Sequence, residues 1–343
     1  MKIAFLLYAI PQNGGVKVLF RVGNLLRERG YGVTYYIAEP GGELPFPSEC
    51  KFVFSPEYHA NAIGRVAWLA RTRIEADVTV ATFHPTALAL HLNRSVKGRK
   101  LYYVQAYEPE FYSDSLAHFA WRWPMMLAAG ASYLLPIEKI VNCNGSTKGL
   151  TARDRERSPE IPPGIDLQLY RQRPHHGDQM IIGHISRREE WKGSRHFFRA
   201  MARLRERGRK FHVRIAYDLC RETSGLDYEA VMPKTEAELA EYYSGLDVMV
   251  STVCQKGFGY PPLEAMASGA LCLATPMDFG EPGVDHIPIL ANSTESIVQA
   301  MEQVFALRDR QRFIEAGLRT ARQFDWSRIG DLWCEVLTAA NRP

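Results

Sequence analysis

A stretch late in the chain combines residue types that suit a ligand carrying both phosphate and sugar. Gly257 and Gly259 lie in a loop between a predicted buried strand and a short predicted helix, and glycine lets a ligand approach the backbone closely. Unpaired N–H groups at a helix N-terminus attract anions. Glu264 is expected in the first turn of that helix, where it could accept hydrogen bonds from sugar hydroxyls. An acid that only caps the helix fits the same spacing equally well.

A second candidate group follows the predicted strand at 180–186. The loop after this strand carries the bases Arg187, Arg188 and Lys192 and leads into a predicted helix. Fixed cations at the end of a strand can neutralise a diphosphate leaving group. The alternative is a charged loop that is only solvated.

The elements that must position these residues follow the order of a doubly wound fold. Residues 2–9 form an apolar run typical of a parallel strand covered on both faces. Gly14 and Gly15 then lead into an amphipathic helix, and residues 33–37 form the next strand, which is the opening of a doubly wound unit. The absence of Gly-x-Gly-x-x-Gly disfavours a dinucleotide dehydrogenase.

Length and composition limit the class of protein. The 343 residues exceed one ordinary core, and a segment rich in proline and glycine at 158–178 marks the expected linker. We therefore predict two α/β domains, both Rossmann-like and doubly wound, at 1–165 and 166–325. The net charge of +4 is mild and the bases are spread along the chain, which disfavours binding to nucleic acid.

Cysteine and hydropathy patterns indicate the compartment. The six cysteines lack Cys-x-x-Cys or metal-ligand spacing, which favours reduced thiols in the cytoplasm. No uncharged stretch is long enough to span a bilayer. The aromatic residues and the base at 121–127 could bring the protein into peripheral contact with the inner face of the membrane, and the alternative is that they form core and crevice wall.

The segment from Gly257 to Gly269 resembles the signature of retaining glycosyltransferases of family 4 (GT4), whose usual form is Glu-Gly-Phe-Gly-Leu-Pro-x-Leu-Glu-Ala-Met-Ala-x-Gly. The resemblance extends to the opening loop, to most of the second half, and to the segment from Pro163 to Tyr170, which is similar to the family's Asn-Gly-Val-Asp-x-x-x-Phe. It implies the GT-B arrangement, in which two Rossmann-like domains face each other across a cleft. It also implies that the last helix, at 326–343, crosses back to the first domain.

The resemblance implies that a sugar passes from a UDP-, TDP- or GDP-linked donor to an acceptor hydroxyl with its anomeric configuration retained. The first domain would bind the acceptor, which could be a glycan, a lipid-linked molecule or a small molecule, and the second domain would bind the donor. No Asp-x-Asp is present, so neither a metal nor another cofactor is expected, and the leaving group would depend on Lys192 and Arg187. A front-face mechanism is inherited from the family.

Residue roles in the donor site follow from the same resemblance. Glu264 would hold the ribose hydroxyls, Lys192 would contact the diphosphate, and the backbone at Met232 would meet the base. His184 stands where relatives carry an arginine, so Arg187 or the arginine after it would supply the missing charge. The remaining members of the predicted donor site are Gly14, Gly15, Arg188, Gly257, Phe258, Gly259 and Tyr260.

Contacts with the sugar and the acceptor are predicted from the first domain. Many relatives carry a histidine near the donor sugar, and Gln105 is the nearest equivalent here, with His84 as the other option. Tyr107 and Glu108 are further candidates, because the carboxyl ends of parallel strands face the ligand crevice. For His84, a turn residue before a proline is the alternative. The segment 103–112 also resembles a block of the bacterial polysaccharide branch, which includes rhamnosyltransferases.

Two other functions remain open. A sugar-nucleotide epimerase shares the two-domain fold but works without an acceptor. A catalytically silent nucleotide-sugar-binding protein would account for the departures of Lys256, His184 and Gln105 from the family pattern.

Lys256 occupies the place where the family carries its first acid. An ammonium can pair with an anion, so we hypothesise that the donor sugar or the acceptor carries a carboxylate or phosphate near it. Lys256→Glu is then expected to abolish turnover with an acidic donor, measured as release of free nucleotide. Full activity of the variant would show that Lys256 points to solvent and that Gln255 contacts the sugar instead.

Overall fold

The computed structural model describes residues 1–11, 14–44, 47–59, 61–112, 119–173, 179–252 and 258–339. The chain divides into two compact units: unit 1 comprises Met1–Gly164 and Trp326–Pro343, and unit 2 comprises Ile165–Asp325. The division therefore falls one residue before the expected boundary at 165, and the C-terminal segment is grouped with unit 1.

The described part of unit 1 is built on a parallel sheet of six strands in the order β3-β2-β1-β4-β5-β6. Its strands are β1 (Lys2–Leu7), β2 (Gly32–Ile37), β3 (Lys51–Phe54), β4 (Val78–Ala81), β5 (Arg99–Val104) and β6 (Glu138–Val141). Its helices are α1 (Gly14–Glu28), α2 (Ala62–Arg71), α3 (His84–Leu92), α4 (Phe119–Ser132) and α5 (Ala152–Arg157). Leu6 of β1 is aligned with Tyr36 of β2 on one side and with Ala81 of β4 on the other.

The described part of unit 2 repeats this plan, with strands in the order β12-β11-β10-β7-β8-β9. Its strands are β7 (Ile181–Ile185), β8 (His212–Ala216), β9 (Glu229–Val231), β10 (Val248–Ser251), β11 (Leu271–Ala274) and β12 (His286–Pro288). Its helices are α6 (Ser194–Glu206), α7 (Glu236–Ser244), α8 (Tyr260–Ala267), α9 (Thr294–Ala306) and α10 (Gln311–Arg322). The predicted fold class, two Rossmann-like doubly wound α/β domains, is confirmed.

The last helix, α11 (Trp326–Thr338), completes the core of unit 1. Trp333 is fully buried, and its ring meets the edges of Phe5 in β1 and Tyr103 in β5 at centroid distances of 6.1 and 5.0 Å. At the surface, the Arg29 guanidinium donates to Asp331 over 2.8 Å. The helix therefore supplies a large apolar side chain that the sheet of unit 1 is packed around.

Helix α4 presents an apolar stripe to solvent. Trp123 and Leu127 are 63% and 70% exposed, and Leu134, shortly after the helix, is 69% exposed. The interpretation of this segment as core is therefore wrong at Trp123 and Leu127. None of the described helices is both long enough and apolar enough to cross a membrane.

Candidate functional site

In each sheet the chain first adds strands on one side of the initial strand and then adds the later strands on its other side. The place where the direction changes is called the switch point here. In unit 2 this switch point lies between β7 and β10, and in unit 1 it lies between β1 and β4. Ligands of doubly wound folds bind outside the carboxyl ends of the strands at such points. In unit 2 the loop that leaves β7 at the switch point is 186–193. Lys256 and Gly257, which follow β10 in the sequence, lie outside the described residues.

A chain of hydrogen bonds fixes the first of these loops. His184 Nδ1 lies 2.8 Å from the carbonyl oxygen of Val250, and Nε2 lies 2.9 Å from Ser194 Oγ. A carbonyl only accepts, so Nδ1 carries the proton and Nε2 accepts from the hydroxyl of Ser194. Ser194 Oγ in turn accepts from the backbone N–H of Arg187 over 2.9 Å. Burial lowers the pKa of His184 to about 4, so the ring is neutral at pH 7.

The position of His184 differs from the predicted one. The ring is buried, stacks on Phe197 at a centroid distance of 4.5 Å, and has both nitrogens engaged. A direct contact with the donor does not fit this arrangement. His184 instead joins β7, β10 and the start of α6 beneath the loop, and it fixes the backbone from which Arg187 projects.

The backbone at Lys192 is tied to the end of β10. The hydroxyl of Thr252 donates to the Lys192 carbonyl. Gly193 has a φ of +72°, and a Cβ there would lie 2.9 Å from the Cβ of Thr252 and 2.1 Å from Oδ1 of Asn292. Only glycine combines this backbone with this close approach. Gly193 is therefore required by packing, whether or not a ligand approaches it.

Arg187 stacks on Tyr217, a residue that the sequence analysis missed. Its guanidinium carbon lies 5.0 Å from the centre of the Tyr217 ring, a favourable cation–π distance. Tyr217 directly follows β8 and has a φ of +57°, a left-handed conformation that is strained for a bulky side chain and that often marks functional sites. Arg188 and Met232 are both exposed, and Met232 directly follows β9.

Helix α8 begins as the sequence predicts. Gly259 precedes it with a φ of +84°, and Pro261 and Pro262 lie in its first turn. Gly269 ends it with a φ of +83°. The short helix predicted after the glycine loop is therefore confirmed.

Glu264 is the fifth residue of α8, and the first turn of the helix contains no acid. Its predicted place in the first turn is therefore wrong, and so is the alternative that it caps the helix. The half-buried carboxylate of Glu264 instead lies near the phenols of Tyr170 and Tyr243. Burial, together with the neighbouring carboxylate of Glu264, raises the pKa of both tyrosines above the usual value, so both stay protonated.

Phe258 is a core residue of unit 2. Its ring stacks on Phe279 at a centroid distance of 4.9 Å and meets the edge of Phe324 at 5.3 Å. The side chain is therefore used for packing in the core of unit 2, and its predicted contact with the donor stays a prediction. Tyr260, the first residue of α8, is half-buried.

In unit 1, the predicted glycine loop is part of a helix. Gly14 and Gly15 are the first two residues of α1. They therefore add backbone N–H groups to a helix N-terminus.

Glu108 lies at the centre of a buried polar network in unit 1. Tyr102 Oη donates to Oε1 over 2.8 Å, and the backbone N–H of His84 donates to Oε2 over 2.7 Å. The N–H of Glu108 donates to Tyr133 Oη over 2.9 Å. The residue is 2% exposed, and burial raises the pKa of its carboxyl to about 8. Glu108 is therefore mostly neutral at pH 7 and anchors the N-terminus of α3, which does not fit its predicted contact with an acceptor.

His84 joins the same network. It is the first residue of α3, so the alternative that it is only a turn residue is wrong. Its Nε2 lies 2.7 Å from Tyr112 Oη, and burial lowers its pKa to about 4. Gln105 and Tyr107 are half-buried and directly follow β5.

Arg187, Tyr217 and Glu264 lie near one another at the switch point of unit 2, and the backbone of Lys192 is held at the end of β10. Among the residues that the structure describes, no three or more His, Cys, Asp or Glu side chains are grouped so as to hold a metal ion. The site of unit 2 can supply two kinds of contact: cations for phosphate oxygens, and a carboxylate for hydroxyls.

Comparison with known proteins finds a family match in the second half of the chain. Residues 179–306 match the protein-family model described as glycosyl transferases group 1. The chain is 31% identical over 144 residues to the putative glycosyltransferase EpsF of Bacillus subtilis (strain 168). That match covers 36% of this chain and 38% of EpsF, so it spans well under half the length of that relative.

The solved structures that resemble this chain cover nearly all of it. Sucrose-phosphate synthase from Thermosynechococcus elongatus has a TM-score of 0.74 at 16% identity, covering 99% of this chain and all of that one. HepE of Anabaena, solved in complex with UDP and glucose, has a TM-score of 0.74 at 17% identity, with 99% and 100% coverage. At these identities the likeness shows the fold. Together the comparisons confirm the expected resemblance to glycosyltransferases of the GT-B fold.

The raised pKa of Glu108 predicts how stability depends on pH. The unfolded chain loses this proton near pH 4.5 and the folded chain near pH 8, so unfolding becomes easier as pH rises between these values. The side chain of the Glu108→Gln variant cannot ionise. The difference between the melting temperature of the variant and that of the wild type should therefore shift in favour of the variant as pH rises from about 5 to 8. The gain corresponds to a few kcal/mol at most. A difference that stays constant across thermal-melting curves from pH 5 to pH 8 would contradict a neutral Glu108.

Proposed function

We propose that this chain, in which residues 179–306 form a glycosyltransferase group 1 domain, transfers a sugar from a nucleotide-diphosphate donor to an acceptor hydroxyl. The observation that carries the proposal is the position of two kinds of charged residue in unit 2: the cations Arg187 and Lys192 follow β7, and the acid Glu264 follows β10. A ligand with a diphosphate and a ribose offers anions to the cations and hydroxyls to the carboxylate. HepE, solved with UDP and glucose, supports a nucleotide sugar as the donor.

In the proposed reaction, the bond between the anomeric carbon and the diphosphate oxygen breaks while the acceptor oxygen bonds to the same face of that carbon. The acceptor proton passes to the leaving phosphate oxygen, and the configuration is retained. Arg187 and Lys192 would stabilise the charge that develops on the diphosphate without a metal ion or another cofactor. Both start from fixed backbone, and preorganised charges of this kind stabilise a transition state most effectively.

Unit 1 is proposed to provide the acceptor contacts. Gln105 and Tyr107 directly follow β5 and are half-buried. The network around Glu108 fixes the N-terminus of α3. This helix follows β4, the neighbour of β5 in the sheet. The proposed acceptor is a glycan, a lipid-linked molecule or a small molecule with a free hydroxyl.

The proposed donor site is tested with a thermal-shift panel of UDP, TDP, GDP and ADP. A diphosphate at 100 times its Kd stabilises the native state by about 2.7 kcal/mol, which raises the melting temperature by roughly 5–10 °C. We expect one of the four to do so with the wild type, and the shift to disappear in Glu264→Ala. Glu295→Ala, which removes an exposed acid of the same unit, is the matched control and should show the same shift as the wild type. The shift of the wild type should also be unchanged when EDTA is added to remove metal ions.

Turnover separates the proposed function from its competitors. With a sugar linked to the diphosphate that binds, free nucleotide should appear only after an acceptor is added. Consumption of the donor without acceptor would favour an epimerase. Binding without any consumption would favour a silent binding protein, and a wild type that binds none of the four diphosphates would overturn the donor site itself.

We also propose that the stripe on α4 contacts a membrane surface. Trp123, Leu127 and Ala131 are spaced four residues apart, so they share one face of the helix, and all three are exposed. Tryptophan with leucine on one helical face suits the interface of a bilayer. The double variant Trp123→Ser, Leu127→Ser should lose most of its co-sedimentation with anionic phospholipid vesicles.

The matched control for this experiment is Leu290→Ser, which removes an equally exposed leucine (77%) of unit 2. It should bind vesicles like the wild type. If the double variant binds vesicles as well as the wild type does, the membrane proposal is wrong. If vesicle binding is unchanged but the oligomeric state changes, the stripe contacts a second copy of the chain.

A further inference from the structure

Tyr217 is held in a backbone conformation that its side chain disfavours. Its φ of +57° is left-handed, a region that suits glycine and is strained for a bulky residue. Its own N–H donates to the Val231 carbonyl over 3.0 Å. Just after it, the N–H groups of Leu219 and Cys220 donate to Ser186 Oγ over 3.2 and 2.9 Å. Strain of this kind persists only where the surrounding structure fixes it and often serves a function, so we looked for a use of the tyrosine ring.

The ring of Tyr217 lies under the guanidinium of Arg187. The guanidinium carbon is 5.0 Å from the ring centre, and both side chains are half-buried. Among the residues that the structure describes, no carboxylate forms an ion pair with Arg187, and its Nη1 makes only a long hydrogen bond of 3.5 Å to the Ser186 carbonyl. A half-buried cation needs a partner. The aromatic face attracts the cation and leaves its charge un-neutralised.

Three acids near the ring could neutralise Arg187 instead. Burial raises the pKa of the Tyr217 phenol, and the charge of Arg187 opposes this rise. The negative charges that add to the rise belong to Glu264, Glu236 and Glu238. A guanidinium that forms a bidentate pair with a carboxylate has fewer N–H groups left for an anionic ligand. Keeping Arg187 away from these acids therefore keeps the site cationic.

We propose that Tyr217 is a positioning residue, whose ring holds the Arg187 guanidinium away from the neighbouring acids and available to the diphosphate of the donor. The inference rests on the proposed function and adds a residue to the site that performs it. Arg187 is then fixed at two points, because its backbone N–H is bound by Ser194 and its side chain lies over Tyr217. A cation fixed in this way stabilises the developing charge without first breaking an ion pair.

The test measures, by calorimetry, the Kd of whichever of UDP, TDP, GDP and ADP binds the wild type. Tyr217→Gly removes the ring at a position whose backbone suits glycine, so the variant should fold. We expect it to bind the diphosphate roughly 3–10-fold more weakly than the wild type. Tyr217→Phe retains an aromatic face and should bind within about twofold of the wild type.

An Arg187→Gln background separates the positioning role from a direct contact between the tyrosine and the nucleotide. In this background the ring has no guanidinium to hold, so Tyr217→Gly should cause no further loss of affinity. A further loss as large as the one in the wild-type background would assign the ring to the nucleotide itself and overturn the positioning role.

Ser224→Gly is the matched control. Ser224 is an exposed residue of unit 2 and also has a left-handed φ, of +55°. Its replacement by glycine therefore relieves the same kind of backbone strain without removing a ring. The variant should bind the diphosphate as tightly as the wild type does.

The outcomes separate this inference from the proposed function. A wild type that binds none of the four diphosphates overturns the donor site and this inference with it. A wild type that binds one of them, alongside a Tyr217→Gly variant of unchanged affinity, overturns the positioning role alone. A Tyr217→Phe variant that binds as weakly as Tyr217→Gly also overturns it, because the hydroxyl and not the ring would then be required.

Discussion

The hydrogen bond between His184 Nδ1 and the carbonyl of Val250 determines the geometry of the loop after β7. It joins the first strand on one side of the switch point to the first strand on the other. Because the carbonyl accepts the ring proton from Nδ1, Nε2 must accept a hydrogen bond from the Ser194 hydroxyl. The Ser194 oxygen then accepts from the backbone N–H of Arg187. A single neutral imidazole thereby fixes the start of α6 and the base of a cationic side chain. Burial keeps it neutral and so keeps the whole chain of donors in one direction.

The two units use buried polar groups in different ways. In unit 2 the buried groups support others that remain accessible: His184 lies below Arg187, and two tyrosines lie near Glu264. In unit 1 the acid itself is enclosed, so its role is to connect β5 with α3. Low dielectric surroundings make each of these contacts strong, and they make each unpaired partner expensive.

Sequence reasoning succeeded where local backbone rules decide the outcome. The short helix that follows the glycine at 259, and the helix that begins with Gly14 and Gly15, depend on residues close in the chain. It failed where a partner far along the chain decides. The assignment of His184 to the ligand could not foresee Val250, and the use of Phe258 in the core depends on Phe279 and Phe324. Nothing in the sequence signals the left-handed backbone of Tyr217, since that conformation is disfavoured for tyrosine.

The place of α11 has a consequence for the order in which the chain can be assembled. Unit 2 is continuous from Ile165 to Asp325, so all of its core residues have been made before any residue of α11 exists. Unit 1 begins the chain, yet Trp333 fills the space beside Phe5 and Tyr103. Domains generally fold in the order in which they are made, but the sheet of unit 1 lacks Trp333 until unit 2 has been synthesised. The core of unit 1 can therefore be completed only after the whole of unit 2 has been made.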